Sequence, residues 1–250
     1  MEEKVFDRIE KKYLITKQDK RQLIKLIKRN MQKDSYHESE VLNIYFDNDN
    51  YDLITQSIDW VDFKEKVRAR SYAGYDRVFI EVKTKIHPPE HRDKHQEYEN
   101  IEDNIGYKRR VMITHEDYEE LIKHKTTLES LAKRSIETRN DLQIAREIDY
   151  LIDHFHLKPK IFITYDRESY KDDNGLRITF DEHLKYRNRN LSFVKEKRDK
   201  IYFKDDHNII MEIKVNGAIP LWLTHKLSEL KLYPQKFSKI GKIYERINHV

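Results

Sequence analysis

The sequence predicts an α+β fold in which an antiparallel sheet is flanked by amphipathic helices. Eight short runs alternate apolar and polar residues at the period of a strand, and a ninth does so more weakly. Few helical segments separate these runs, which favours antiparallel strands over a doubly wound parallel sheet. No Gly-, Ser- or Pro-rich linker and no internal repeat divides the chain, so we expect one domain spanning residues 1–250.

The strand candidates follow one another along the whole chain. They occupy residues 5–14, 41–46, 62–72, 77–85, 107–112, 160–165, 176–180 and 208–215, with 201–204 as the weaker ninth. Turn-forming residues such as Gly74 and Gly175 lie where a strand should end. The pattern therefore predicts strands joined mostly by turns.

Five helices are predicted from apolar stripes at helical spacing and from their start signals. Thr16 and Asp19 have the spacing of a capping box, and Thr114 and Asp117 repeat it. The helices are expected over residues 16–31, from 114, over 139–156, over 221–232 and over 237–247.

The composition excludes several classes of protein. Charged residues make up 38% of the chain, but 16 Tyr, 10 Phe and 2 Trp supply enough aromatic area for a packed core. The absence of cysteine excludes disulfides, thiolate metal sites and cysteine nucleophiles. A formal net charge of +4 is too small for a generic nucleic-acid binder, and no apolar run approaches the roughly 18 residues needed to span a bilayer. We expect a soluble, cytoplasmic protein without a nucleic-acid partner.

Basic residues concentrate on one face of the predicted strands. Alternate side chains of a strand point to opposite faces of its sheet, so the residues at every second position share a face. Those positions hold twelve basic residues and only four acidic ones. The basic ones are Arg8, Lys12, Lys64, Lys66, Arg68, Arg70, Lys83, Lys85, Lys108, Arg110, Arg177 and Lys214, and the acidic ones are Glu10, Glu81, Asp181 and Glu212.

A solvated face of an ordinary sheet is the simplest explanation for any one of these strands. If all of them belong to one sheet, however, so many cations repel one another unless a polyanion lies among them. A sheet that curves shut would enclose these groups in a wet tunnel, because unpaired charges are too costly to bury in a dry core. Arginine and lysine would then bind phosphate oxygens, and the glutamates would hold a divalent metal.

Eight short motifs in order resemble one known family over essentially the whole chain. Each motif is weak alone, but their combination resembles the VTC domain, the polyphosphate polymerase branch of the triphosphate tunnel metalloenzymes in the CYTH superfamily. The motifs are Phe6-Asp7-Arg8-Ile9-Glu10-Lys11-Lys12-Tyr13, Lys66-Val67-Arg68-Ala69-Arg70, Phe79-Ile80-Glu81-Val82-Lys83, Tyr107-Lys108-Arg109-Arg110, Tyr165-Asp166-Arg167, Leu176-Arg177-Ile178-Thr179, Met211-Glu212-Ile213-Lys214 and Phe237-Ser238-Lys239-Ile240-Gly241-Lys242.

The resemblance implies a closed eight-stranded antiparallel β-barrel, the triphosphate tunnel, with a mostly basic interior and flanking helices. It implies transfer of the ATP γ-phosphoryl group onto inorganic polyphosphate with release of ADP. It also implies Mn²⁺ or Mg²⁺ as the cofactor. Export of the polymer would require a membrane-protein partner, because this chain has no predicted span.

The resemblance and the charged face together assign roles to individual residues. Glu212 is expected to hold the metal, and Glu10 and Glu81 are candidates for further metal ligands or for structural carboxylates. Lys108 and Arg110 face the same side, and either matches the basic position of the family there. The catalytic candidates that align the donor triphosphate are Arg68, Arg70, Lys83 and Arg177. The remaining candidates for binding phosphate are Arg8, Lys12, Lys66, Lys108, Arg110, Arg167, Lys214, Lys239 and Lys242.

Two alternative functions stay open from the sequence. One is a tunnel-type hydrolase of inorganic or organic triphosphates, and the other is a polyphosphate-binding module without turnover. Hydrolases of the superfamily usually carry two alternating glutamates before the lysine, whereas Arg8 replaces the first here, which favours the polymerase branch. A zinc site at His87, His91 and His95 is disfavoured, because two prolines interrupt the helix that this spacing would need.

Overall fold

The computed structural model describes residues 8–59, 61–86, 105–135, 139–203 and 208–248. These residues form an α+β structure built on one large antiparallel sheet. Its strands are β1 (Arg8–Ile15), β2 (Gln32–Asp47), β3 (Phe63–Tyr72), β4 (Val78–Ile86), β5 (Ile105–Ile113), β6 (Lys158–Lys171), β7 (Arg177–Arg187), β8 (Lys200–Ile201) and β9 (Ile209–Asn216).

All five predicted helices are present, together with two that the sequence pattern did not reveal. The helices are α1 (Lys17–Asn30), α2 (Asp52–Ile58), α3 (His115–Ile122), α4 (Leu128–Ser135), α5 (Arg139–His154), α6 (Leu221–Glu229) and α7 (Lys239–Asn248). Capping boxes begin α1 at Thr16 and α3 at Thr114, as predicted. None of the described helices has the length and hydropathy needed to cross a bilayer.

The strands pair in the order β1-β9-β7-β6-β2-β3-β4-β5, and the short β8 adds to β7. Every described pair is antiparallel. The weak ninth strand candidate is therefore present, but it lies beside the main path of eight strands. Because adjacent strands in this order are often far apart in sequence, the folded order differs greatly from the chain order.

The sheet curves strongly around its charged face. In a flat sheet, β1 and β4 would lie about 29 Å apart, since six strand spacings of roughly 4.8 Å separate them. Glu10 Oε2 of β1 instead lies 3.8 Å from Lys83 Nζ of β4. No β1–β5 hydrogen-bonded pair occurs among the described residues, so the curvature is shown but closure of the barrel by backbone hydrogen bonds is not.

Helices cover the outer, apolar face of the curved sheet. Helices α3, α4 and α5 pack on the outer side of β2 to β5, where Ile44, Ile80 and Leu131 are fully buried. Helices α1 and α6 cover β1, β9 and β7 through Leu23 and Leu223. Burial of these side chains stabilises the sheet from outside and leaves its inner face free for polar groups.

Helix α7 packs against the inner face, at the end of the sheet where β2 and β7 finish. Its Ile240 and Ile243 are buried among Tyr45, Ile163 and Ile210 of the strands. This apolar contact closes one end of the enclosed space. The charged residues lie on the same inner face.

Candidate functional site

The inner face of the sheet encloses a group of charged side chains, which we call the chamber. Its members come from seven of the strands and from the start of α7. They are Glu10, Lys12, Lys66, Arg68, Arg70, Glu81, Lys83, Lys108, Arg167, Thr179, Asp181, Glu212, Lys214 and Lys239. Strand alternation places those that lie on strands on one face of the sheet. Thr179 was not among the residues predicted from the sequence.

Glu81 organises one side of the chamber. Its buried carboxylate lies 2.7 Å from Arg68 Nη2, 3.9 Å from Arg70 Nε and 2.6 Å from Lys108 Nζ. Burial alone would raise the pKa of Glu81, but the three cations hold it well below its usual range. With all its neighbours cationic, this carboxylate serves to fix Arg68, Arg70 and Lys108 in place.

Two polar side chains of β2 complete that arrangement. Arg70 Nε donates to Asn43 Oδ1 at 2.9 Å, and Arg68 Nη1 donates to Tyr45 Oη at 3.3 Å. Neither Asn43 nor Tyr45 was predicted from the sequence to belong to the site. They could have been identified because they are polar residues at alternate positions of an otherwise apolar strand, where a buried amide is unusual.

Glu10 and Glu212 form a second centre, from the neighbouring strands β1 and β9. Glu10 lies 3.1 Å from Lys12 and 3.8 Å from both Lys83 and Lys214, and Glu212 lies 3.1 Å from Lys214. Burial would raise the pKa of Glu212, but Lys214, Lys12 and Arg167 lower it well below its usual range. Burial and Glu212 likewise raise the pKa of Glu10, and the surrounding lysines lower it on balance.

The lysines between these centres repel one another. Glu10 raises the pKa of Lys83, but desolvation and the neighbours Lys85, Lys214 and Lys12 lower it to about 8. Desolvation lowers the pKa of Lys108 to about 8, against the opposing effect of Glu81. Burial and the nearby Lys12 and Lys83 lower the pKa of Lys66 strongly, and its amine lies 3.2 Å from Ser238 Oγ. An anion placed among these amines would relieve that repulsion.

Asp181 holds a third pair of cations. Arg167 donates two hydrogen bonds to it, at 2.6 and 2.8 Å, and Lys239 Nζ of α7 lies 2.6 Å from Asp181 Oδ2. Burial would raise the pKa of Asp181, but Arg167 and Lys239 lower it. Lys239 is thus directed into the chamber from the helix that closes one end.

Three predicted residues are placed differently from the main group. Arg177 lies 3.0 Å from Asp34, a residue that sequence analysis did not select, and it is directly opposite Lys214 in register. Arg110 stacks its guanidinium 4.7 Å from the centre of the Phe79 ring. Lys242 is half exposed and pairs with Glu245 on its own helix at 2.7 Å. The side chain of Arg8 and the tract containing His87 lie outside the described residues.

The donor set at Glu10 and Glu212 fits a divalent cation that also binds phosphate. No group of three or more acidic or histidine ligands occurs among the described residues. Mg²⁺ commonly takes one or two protein carboxylates together with substrate phosphates, and two adjacent carboxylates meet that need. Thr179, directly opposite Glu212 in register, has a buried hydroxyl with no hydrogen-bond partner in the described part of the chain. This orphaned oxygen is a further polar group facing the same space.

Comparison with known proteins agrees with this geometry. The family model named VTC domain matches residues 7–246 of the chain. A putative adenylyl cyclase from Hippeastrum, HpAC1, shares the fold with a TM-score of 0.55 at 16% identity, over 94% of this chain and 93% of its own. A putative adenylate cyclase from Bacillus halodurans aligns with a TM-score of 0.49 at 13% identity, over 92% of this chain and 93% of its own. The comparison with curated proteins finds no match.

Proposed function

The chain belongs to the VTC domain family, and from this premise we propose that it is an ATP-dependent polyphosphate polymerase. It transfers the γ-phosphoryl group of ATP onto a growing inorganic polyphosphate chain and releases ADP. The observation that carries the proposal is the chamber itself. Side chains of β1 and β4 are in contact there, and cations outnumber carboxylates in one enclosed space. Such a space suits a linear polyanion better than any neutral ligand.

Residues of the chamber have distinct tasks in this reaction. Phosphoryl transfer depends mainly on in-line positioning and on neutralising the charge of the transferred group. Arg68 and Arg70, held by Glu81, present fixed guanidinium groups for phosphate oxygens. Lys83 supplies a mobile point charge beside them. Arg177 binds phosphate at the end of the chamber opposite α7.

Glu10 and Glu212 are the residues that would hold Mn²⁺ or Mg²⁺. The bound metal would supply positive charge that neutralises phosphate oxygens. Lys12 and Lys214 lie against the two carboxylates and would turn toward the substrate phosphates. The acceptor is a phosphate oxygen of polyphosphate that already carries negative charge, so the protein needs no strong general base.

Hydrolysis is the second candidate function, because the Hippeastrum protein that shares the fold is described as having a dominant triphosphatase activity. Water is a poorer nucleophile than an ionised phosphate and needs a group to orient or deprotonate it. Cations engage Glu81 and Asp181, and Glu10 and Glu212 are assigned to the metal. None of the described chamber carboxylates is then left to act as a base on water, which supports transfer to polyphosphate instead. A cytoplasmic location and a membrane-protein partner remain predictions from the sequence.

Product analysis tests the proposal. The purified chain would be incubated with ATP and Mn²⁺, with and without a short polyphosphate primer, and the products resolved on a gel while ADP and free phosphate are measured. We expect a ladder of polymer with an equal amount of ADP. Free phosphate without polymer would assign the chain to the hydrolases, and tight polyphosphate binding without either product would indicate a binding module.

A further inference from the structure

Aromatic side chains line the end of the chamber opposite α7. Tyr75 and Phe79 stack with their rings 11° from parallel and 6.4 Å apart, and Tyr72 meets Phe79 edge-on at the same distance. Arg110 covers the Phe79 ring at 4.7 Å. We call Tyr72, Tyr75, Phe79 and Arg110 the mouth cluster.

This cluster continues the row of cations rather than standing apart from it. Phe79 alternates with Glu81 and Lys83 along β4, so it shares their inner face. Its direct partner across the β3–β4 pair is Arg70. Phe79 and Lys83 are four residues apart, which is about 13 Å along a strand. The distance from the aromatic surface at Phe79 to the phosphate-binding surface at Lys83 is therefore roughly the length of an extended nucleotide.

Backbone contacts fix the segment that carries the exposed ring of Tyr75. Gly74 has a φ of +77°, which the turn between β3 and β4 requires, and the Tyr75 amide donates to the Tyr72 carbonyl at 3.0 Å. His115 Nε2 lies 3.3 Å from the Tyr75 carbonyl oxygen. The Tyr75 residue is nevertheless 45% exposed, and so is Met112 of the adjoining β5. A fixed backbone with an accessible aromatic ring provides a preorganised surface for a flat ligand.

We propose that the mouth cluster binds the nucleobase of the nucleoside triphosphate donor. The base packs against the Tyr75–Phe79 pair, and the triphosphate extends past Arg70 toward Arg68 and Lys83. This inference rests on the proposed function. It adds that the protein should bind a nucleoside triphosphate more tightly than inorganic triphosphate. Stacking requires only a π-face, so different bases should be accepted with similar affinity.

Binding measurements on ATP and inorganic tripolyphosphate test the inference. We expect Tyr75→Ala to weaken ATP binding about tenfold, since one stacked base contributes roughly that factor, and to change tripolyphosphate binding less than twofold. Tyr75→Phe keeps the ring and should retain ATP affinity. Tyr150→Ala is the matched control, because Tyr150 is 61% exposed on α5, far from the chamber in the fold, and should change neither affinity.

The possible failures are distinguishable. Equal affinity of the wild-type chain for ATP and tripolyphosphate, or an equal loss of both in Tyr75→Ala, would overturn the nucleobase site while leaving the chamber as a phosphate site. Failure of the wild-type chain to bind either ligand would overturn the proposed function and this inference together.

Discussion

Glu81 and Glu212 are both buried glutamates of the chamber, yet their neighbours give them different roles. Glu81 contacts Arg68, Arg70 and Lys108 and has no described carboxylate beside it, which favours a structural role. Glu212 lies beside a second carboxylate, Glu10, and opposite the unpaired hydroxyl of Thr179, which favours metal binding. The sequence offered both as metal candidates, because residue type and strand position are the same for each.

Replacement of Glu212 by glutamine tests the metal assignment. Glu212→Gln keeps the shape of the side chain but removes the charge that a divalent cation needs. We expect kcat to fall by about 100-fold or more, in line with the loss of one strong electrostatic contribution, and the affinity for Mn²⁺ to fall with it. Glu229→Gln, at an exposed position of α6, is the control. A Glu212→Gln chain that is folded and fully active would contradict the assignment.

The lowered pKa values of Lys83 and Lys108 predict how pH affects binding. Both amines titrate near pH 8 in the folded chain, below the usual lysine value of about 10.4. Above pH 8 they lose charge, so the affinity for tripolyphosphate should fall. The unfolded chain binds more protons between about pH 8 and 10, so the unliganded protein should gain stability from these two groups over that range.

Thermal unfolding measures both effects. The increase in melting temperature that tripolyphosphate causes should be smaller at pH 9.5 than at pH 7, although the ligand itself loses no negative charge. Lys108→Gln removes one of the titrating groups and should reduce the difference between the two pH values. An equal increase at both pH values would show that these lysines do not titrate as stated.

At the scale of elements, the sequence predicted those whose signals are local. The capping boxes at Thr16 and Thr114 lie beside the helices that they begin. Helices α2 and α4 were missed because they are short and their caps lack the spacing of a capping box. Asp47 lies five residues before α2 and accepts hydrogen bonds from the amides of Leu53 and Ile54. Asp149 of α5 accepts them from Leu128 and Glu129 of α4, and this second cap depends on the tertiary fold.

Helix α7 presents two lysines that the sequence treats alike and the structure separates. Lys239 is mostly buried against Asp181, whereas Lys242 is 42% exposed in its side chain and pairs with Glu245. We expect Lys239→Gln to reduce kcat/KM about 10- to 100-fold, as the loss of a charged hydrogen bond to phosphate would. Lys242→Gln should reduce it less than threefold. Equal losses in steady-state assays would show that both lysines reach the substrate.

At the scale of the whole molecule, the sequence predicted an inner face of cations but not the details of closure. Strand alternation is a local property and identifies which residues share a face. Strand order depends on pairings between distant segments, such as β1 with β9 and β2 with β6, which no local pattern specifies. The family resemblance places the C-terminal helix at the mouth of the tunnel, but an apolar stripe does not indicate which side of a sheet it will cover, so the packing of Ile240 and Ile243 on the inner face had no local signal.

Zero-length cross-linking tests the curvature of the sheet. A carbodiimide reagent joins carboxylates to amines in direct contact, and Glu10 and Lys83 lie 3.8 Å apart. We expect mass spectrometry to detect a peptide of β1 linked to one of β4 in the unliganded protein, and Lys83→Arg to abolish it. Links from Glu10 confined to Lys12 and Lys214 would indicate an open sheet, in which about 29 Å separates β1 from β4.

The most direct test of the account is a crystal structure with Mn²⁺ and an ATP analogue whose γ-phosphoryl group cannot be transferred. We expect triphosphate density inside the chamber between Arg68, Lys83 and Lys239, with the metal at Glu10 and Glu212. A nucleotide bound outside the curved sheet, or a triphosphate that contacts none of these cations, would contradict it.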